Sequence, residues 1–383
     1  MSRSHRQPDA AEYRWECMSF NTSRGKLPRR ALLRLGTGIA TGFALRFTLA
    51  PSARGQDATL VPGDDAVRCD ALLANWHATG GFSGVALVAR GDKILFTQGY
   101  GLADRVAGVS NTPLTPFPIG SITKTFTALA IMQLAEAGRL RVDDPVTRFL
   151  PDFPATARDG VTLTLRHLLS HTGGVTPEFN VSETGDLRER IFAAVGDRLH
   201  FTPGTQFSYS NTGFAALGLV VEAASGQAWA DYLHEHIFAP AGMQSSGIVG
   251  TDASYLSIAL GYVAGSDVKP VYFEIGTFAA GAVYATAADL LRFDRALFGG
   301  QLLSLAGVER MRTPVQDASG YGLFSYVYAG RRLVDHAGDI GGFHASNIWL
   351  PEEDLTIIFF ANQLLLTPDD IPLQLMNTLL GPE

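Results

Sequence analysis

Stretches with the composition of β-strands lie near both ends of this chain, and a long helical block separates them. Residues 84–90 and 93–100 are rich in β-formers and meet at Gly91-Asp92, the pattern of a hairpin. After residue 320 the pattern returns to strands, with runs at 322–330, 331–338, 343–350 and 355–361. Between them, 121–138 predicts a strong helix that carries Phe126, Leu129, Ile131, Met132 and Leu134 and closes at Gly138. From there to about 250 the chain reads as mostly helical, with loops at 151–160, 171–186 and 202–213. Thr286 is a natural N-cap for a helix ending at Phe298, and 64–77 and 372–380 have helical spacing. Residues 112–118, with three prolines, read as a loop. Strands at both ends with helices between have one simple solution. That solution is an α/β (α+β) fold: one antiparallel sheet built from about 80–105 and 320–362, flanked by terminal helices, with a helical lobe at about 115–265. No internal repeat or linker divides residues 54–383, which read as a single domain.

Charge divides the chain differently. Residues 1–53 hold nine Lys/Arg against three Asp/Glu, and the remainder holds 21 basic against 34 acidic residues. A body that acidic is unsuited to binding nucleic acid. Residues 28–35, Pro-Arg-Arg-Ala-Leu-Leu-Arg-Leu, precede a weakly apolar stretch and the small residues Ser52 and Ala53. This is the layout of a twin-arginine export signal, so residues 1–53 are expected to be an address and the product periplasmic or secreted. The alternative is a basic amphipathic helix that stays attached. Translation from Met18 would leave the address intact. Nothing after residue 50 is long and apolar enough to span a membrane, so no span is expected once the signal is removed. Cleavage would also leave Cys69 as the only cysteine, and a buried structural thiol is its expected role.

Four lysines stand against 26 arginines, so a lysine at a motif position is conspicuous. Ser121-Ile122-Thr123-Lys124 places a hydroxyl and an amine one helical turn apart, on one face. A serine needs a base to become a nucleophile, and a lysine serves if desolvation and a helix N-terminus lower its pKa. Ser23-x-x-Lys26 and Ser266-x-x-Lys269 have the same spacing, but only Ser121 opens a long apolar helix. Its plainer role is that of an N-cap. Tyr209-Ser210-Asn211 follows Pro203-Gly204-Thr205 and precedes an apolar helix. A phenol there can relay a proton to a lysine, and Asn211 can donate its amide to a substrate carbonyl; simple core packing is the alternative for Tyr209. His336-Ala337-Gly338 ends a strand that puts Val334, His336 and Gly338 on one face. Gly338 would let a substrate backbone approach, and the N–H groups of Ser121 and Asp339 can form an oxyanion hole. His171-Thr172-Gly173 repeats the third pattern without a strand, so His167 and His171 read as structural.

The order Ser-x-x-Lys, then Tyr-x-Asn 88 residues on, then His-x-Gly after 127 more resembles the serine β-lactamase and penicillin-binding-protein superfamily, on its class C side. The phrases at 142–146, 167–174, 240–243, 281–289 and 321–323 resemble it too, and the likeness runs over roughly residues 65–382. It implies a β-lactamase/transpeptidase-like fold with the site between sheet and helical lobe. It also implies Ser121 as the acylated nucleophile, Lys124 and Tyr209 as base machinery, and His336 as a third-motif residue. Where relatives that hydrolyse β-lactams have Lys-Thr-Gly, this chain has His336, Ala337 and Gly338, followed by Asp339. An acidic residue there, with its side chain in the cleft, would oppose a substrate carboxylate. The expected activity is therefore that of an exported serine hydrolase on small ester, amide or peptide substrates, of the esterase or D-amino-acid peptidase type, with weak β-lactam hydrolysis at most. A true β-lactamase and a non-catalytic penicillin-binding-like scaffold are the alternatives. No metal cluster, P-loop or dinucleotide fingerprint is visible, so no cofactor is expected, and the sequence leaves the oligomeric state open.

Overall fold

The computed structural model describes residues 63–178, 186–250, 257–262, 275–363 and 369–381. The expected signal and the Ser23 and Ser266 motifs lie outside them. Six strands form the main sheet. They are β1 (Gly84–Arg90), β2 (Lys93–Tyr100), β3 (Phe324–Tyr328), β4 (Arg331–Ile340), β5 (Phe343–Leu350) and β6 (Leu355–Ala361). Their spatial order is β3-β4-β5-β6-β1-β2, and every neighbouring pair is antiparallel. The two ends of the chain meet at β1 and β6, where Gly84 pairs with Ala361 and Arg90 with Leu355. The sheet is therefore the one expected from strands at both ends of the chain.

All seven residues of β6 are buried, because both faces of the sheet are covered. Outside, α1 (Asp64–Ala78) and α5 (Asp370–Leu380) bring Cys69, Leu73, Ile371 and Leu375 against Phe82, Ile357 and Phe359. Burial pushes the Cys69 thiol up to about 11, which makes it an inert packing group. On the inner face Ile358 and Phe360 meet Phe117 and the helical lobe.

At the centre of that lobe is α2 (Thr123–Glu136), with eleven of its fourteen residues buried. A helix enclosed on all sides must be apolar all round or pair its polar groups. Here three buried threonines do the pairing. Thr123 Oγ1 accepts from Val283 N at 3.0 Å, Thr125 donates to Gly322 O at 2.8 Å and Thr127 to Ala279 O at 2.7 Å. Across it packs α3 (Asn211–Ser225), itself almost entirely apolar. A further helix, α4 (Ala287–Phe298), is capped by Thr286 as expected and stacks Phe293 on Phe126 at 4.0 Å. Two local readings need correction. The helix expected from Ser121 begins as a 3-10 turn at Gly120–Ile122, and Phe117–Pro118 is not loop but a short strand paired with Tyr284 and Ala285. A helix at Leu305–Arg312 had no counterpart in the sequence reading.

Candidate active site

Ser121 sits in the 3-10 turn that delivers the chain into α2, and Gly120 just before it has φ 50°, a conformation glycine adopts without strain. One turn on, Lys124 is fully buried, and its Nζ donates to Ser121 Oγ at 2.9 Å and to the Ala280 carbonyl at 2.8 Å. Desolvation lowers this amine from 10.5 to about 7, with Glu178 pulling the other way. Among the described residues, its close contacts are a hydroxyl, a carbonyl and aromatic faces. Its Nζ stands 4.8 Å from the centre of the Tyr209 ring and 5.8 Å from that of Phe214.

Tyr209 reaches this point because Ser210 caps α3, accepting from Gly213 N at 2.9 Å. Asn211 is thus the first residue of a helix rather than part of a free loop. Its Nδ2 donates to both carboxylate oxygens of Glu178 at 2.9 Å, so the amide expected to meet a substrate carbonyl holds an acidic side chain instead. Glu178 is a residue that no spacing rule points to. His171, read as structural from sequence, lies in the same cluster. Its ring stacks on Tyr209 with centroids 4.4 Å apart. His167, by contrast, does close a capping box with Thr164 at the start of a short helix, a structural role.

The opposite wall is β4. His336 is buried, and its ring lies 6.4 Å from Tyr209 and 5.3 Å from Phe324. Its Nδ1 is 2.6 Å from the Ala337 carbonyl; a carbonyl only accepts, so the proton is on Nδ1. Gly338 passes so near the turn that holds Ser121 that a Cβ on it would meet Ser121 N, and a Cβ on Gly120 would lie 3.2 Å from Asp339 N. The backbone N–H groups of Ser121 and Asp339 are thus brought side by side. The Asp339 side chain is another matter. It pairs with His344 Nδ1 at 2.8 Å, on the sheet face away from His336. The acidic residue expected to oppose a substrate carboxylate from the third motif is therefore turned out of the cleft. Strand alternation contained this: if His336 and Gly338 share one face, Asp339 belongs to the other.

A serine hydroxyl with an adjacent buried amine, a phenol over that amine, and two backbone donors from a turn and a strand edge form a constellation suited to acyl transfer. The family model described as Beta-lactamase matches residues 69–374. The chain belongs to the Beta-lactamase family. Its relatives include the putative penicillin-binding protein PbpX of Bacillus subtilis (strain 168), 35% identical over 295 residues, covering 76% of this chain and 73% of that one. Among solved structures, the penicillin binding protein from Bacillus halodurans is 29% identical with a TM-score of 0.71, covering 81% of this chain and 99% of that one. The structure of SurE with D-Leu is 28% identical with a TM-score of 0.70, covering 83% of this chain and 76% of that one. Among the described residues of this Beta-lactamase-family chain, no group of three His, Cys, Asp or Glu is placed to hold a metal ion, and no helix is long and apolar enough to cross a membrane.

Proposed function

We propose that this protein is a serine hydrolase that works through an acyl-enzyme on ester or amide bonds. The observation that carries this is the buried Lys124 amine, lowered to about 7 and 2.9 Å from Ser121 Oγ. In its neutral form the amine accepts the hydroxyl proton as Oγ attacks the carbonyl carbon. The carbonyl π pair moves to oxygen, which takes hydrogen bonds from Ser121 and Asp339 N–H. Collapse expels the alcohol or amine, which leaves with the proton passed from Lys124 through Tyr209. Water then attacks the acyl ester by the same route, releasing the acid and restoring Ser121.

Within that class, we read the substrate as uncharged or amine-bearing rather than anionic. Glu178 works against the lowering of the Lys124 pKa, so a carboxylate charge bears on the site. It repels the carboxylate of a penicillin and attracts an ammonium group beside a scissile carbonyl. The SurE structure holds D-leucine, whose ammonium group stands beside a carboxyl carbon as it would in the acid released from a D-amino-acid ester or amide, and this supports a D-amino-acid peptidase or amidase type alongside an esterase type. We also place the protein outside the cytoplasm, on the twin-arginine pattern at Arg29 and Arg30. Replacing both by lysine is expected to hold it in the cytoplasm, and normal export of that variant would refute the route.

Fluorophosphonate and fluorescent-penicillin labelling of wild type and Ser121→Ala tests the reaction class. Wild type is expected to label at Ser121 and the variant not at all. An unlabelled wild type would favour the non-catalytic scaffold. Comparing kcat/KM for p-nitrophenyl butyrate, a D-amino-acid p-nitroanilide and nitrocefin tests the substrate class, and nitrocefin turned over fastest would make this a true β-lactamase.

A further inference from the structure

His171 lies outside the Ser-x-x-Lys, Tyr-x-Asn and His-x-Gly motifs, yet it touches the Tyr209 segment at three points. Its backbone carbonyl accepts from Ser208 N at 2.8 Å, on one side of Tyr209. Its ring Nδ1 accepts from Ser210 N at 3.0 Å, on the other side. Between these two bonds its ring lies flat on the Tyr209 ring, 4.4 Å between centroids and 26° between planes. We propose that His171 is the positioning residue for Tyr209, fixing the height and tilt of its phenol over the Lys124 amine.

The support behind His171 suits that task. The residue is 3% exposed, and its ring is packed on Phe214 at 4.9 Å and on Phe207 at 5.9 Å. Its own backbone is in the left-handed region, φ 57°, which a non-glycine side chain enters only where the surroundings hold it there.

The tautomer follows from the geometry. A backbone N–H only donates, so Nδ1 facing Ser210 must be the unprotonated nitrogen, and the proton sits on Nε2. Burial, then the charge of Lys124, then His336 hold the ring well below its usual pKa. Protonation would remove the bond to Ser210 and set a second cation beside Lys124. A neutral ring therefore supports Tyr209 throughout the working range, and His171 adds no limb of its own to a pH profile. The groups that face it electrostatically are Lys124 and His336, and neither gives it a counter-charge.

The role rests on Tyr209 acting in proton transfer, as proposed above, and a double-mutant cycle separates the two ideas. His171→Asn retains a short acceptor for Ser210 N–H and tolerates a left-handed φ, but removes the stacking ring. His171→Phe retains the ring and removes the acceptor. Each is compared on p-nitrophenyl butyrate in the wild-type and Tyr209→Phe backgrounds. In the wild-type background each is expected to lower kcat by about 10–100-fold with little change in KM, as displacement of a reacting group does. In the Tyr209→Phe background the further loss is expected to vanish, because the residue being positioned no longer relays a proton. Equal losses in both backgrounds would make His171 merely structural, and wild-type kcat in both variants would also overturn the proposal. A Tyr209→Phe enzyme with unchanged kcat would refute the relay itself and the positioning role with it. Ser121 labelling of every variant reports that the nucleophile's turn is intact.

Discussion

A Cβ placed on Gly338 would stand 2.5 Å from the backbone nitrogen of Ser121 and 2.2 Å from the carbonyl oxygen of Ile119. The strand edge and the turn that holds Ser121 are thus in backbone contact, and only glycine allows it. Both contacted atoms are backbone, so neither can rotate away. Gly338→Ala should push the 338–339 peptide from Ser121 and spread the two N–H donors apart. Loss of one oxyanion donor costs roughly 10²–10³ in kcat. A fall of that size, with KM much less affected, is expected from steady-state kinetics; full activity in the alanine variant would mean that the two N–H groups do not act together.

Lys124 gives the pH dependence a definite sign. Its amine is lowered from 10.5 to about 7 by burial, with Glu178 raising it. As the proposed base, Lys124 acts in its neutral form, so kcat/KM should rise as pH increases through about 7 and level off above it. Glu178→Gln removes the charge that favours protonation, and the inflection should move to lower pH. Stability should show the same group. Between about 7 and 10.5 the unfolded chain binds the proton and the folded chain does not, so Lys124's contribution to stability rises with pH across that window. A profile whose inflection is unmoved by Glu178→Gln would remove Glu178 from the electrostatics of the site.

The sheet and the Ser121–Lys124 pair were legible from sequence because both rest on local patterns. Alternation and the Gly91-Asp92 turn mark β1 and β2 whatever lies around them, and an i, i+3 pair on a helix faces one way. Phe117–Pro118 was not legible. A two-residue strand has no alternation to read, and its partners Tyr284 and Ala285 lie far along the chain from it. Glu178 and His171 failed for a related reason. Glu178 owes its place to the Asn211 amide, and His171 to the Ser208 and Ser210 N–H groups, all distant in sequence. Asp339 is the opposite case: the alternation applied to His336 already turned it away from the cleft.

Phe278 carries the carbonyl segment that receives Lys124. It has φ 43° and ψ −134°, a strained backbone for a residue with a side chain, and it stands two residues before the Ala280 carbonyl. Its ring fits because α3 presents Gly218, where a Cβ would meet Phe278 Cε1 at 2.5 Å and Ala279 Cβ at 2.4 Å. Gly218→Ala should therefore shift 278–280 and with it the acceptor that fixes Nζ. The expected result is a loss of kcat of about 10–100-fold, since a displacement near 1 Å suffices for that. Lower thermal stability with unchanged kcat would show that the segment supports packing only.

Asp294 offers a stability test away from the chemistry. It lies on α4, 1% exposed, and accepts from Asn347 Nδ2 at 2.9 Å through Oδ1, while Oδ2 has no hydrogen-bond partner among the described residues. Burial raises its pKa from 3.8 to about 7, against the opposing influence of Asn347 and Arg295. The folded state thus holds a proton that the unfolded state releases, so this residue's contribution is complete below 3.8 and is lost as pH rises to about 7. Asp294→Asn keeps the acceptor for Asn347 and cannot ionise. It also replaces the unpartnered Oδ2 by an NH₂. At low pH the wild type's neutral carboxyl sets an O–H donor in the same place, so the two proteins should be of similar stability there. Above pH 7 the wild type carries a buried charge as well, and the variant should gain on it by an amount of order 2–4 kcal/mol relative to their difference at low pH. Urea unfolding at pH 5 and pH 8 measures the change. All other titrating groups are common to both proteins and cancel, so a difference in stability that stays constant between the two pH values would mean that Asp294 is ionised throughout.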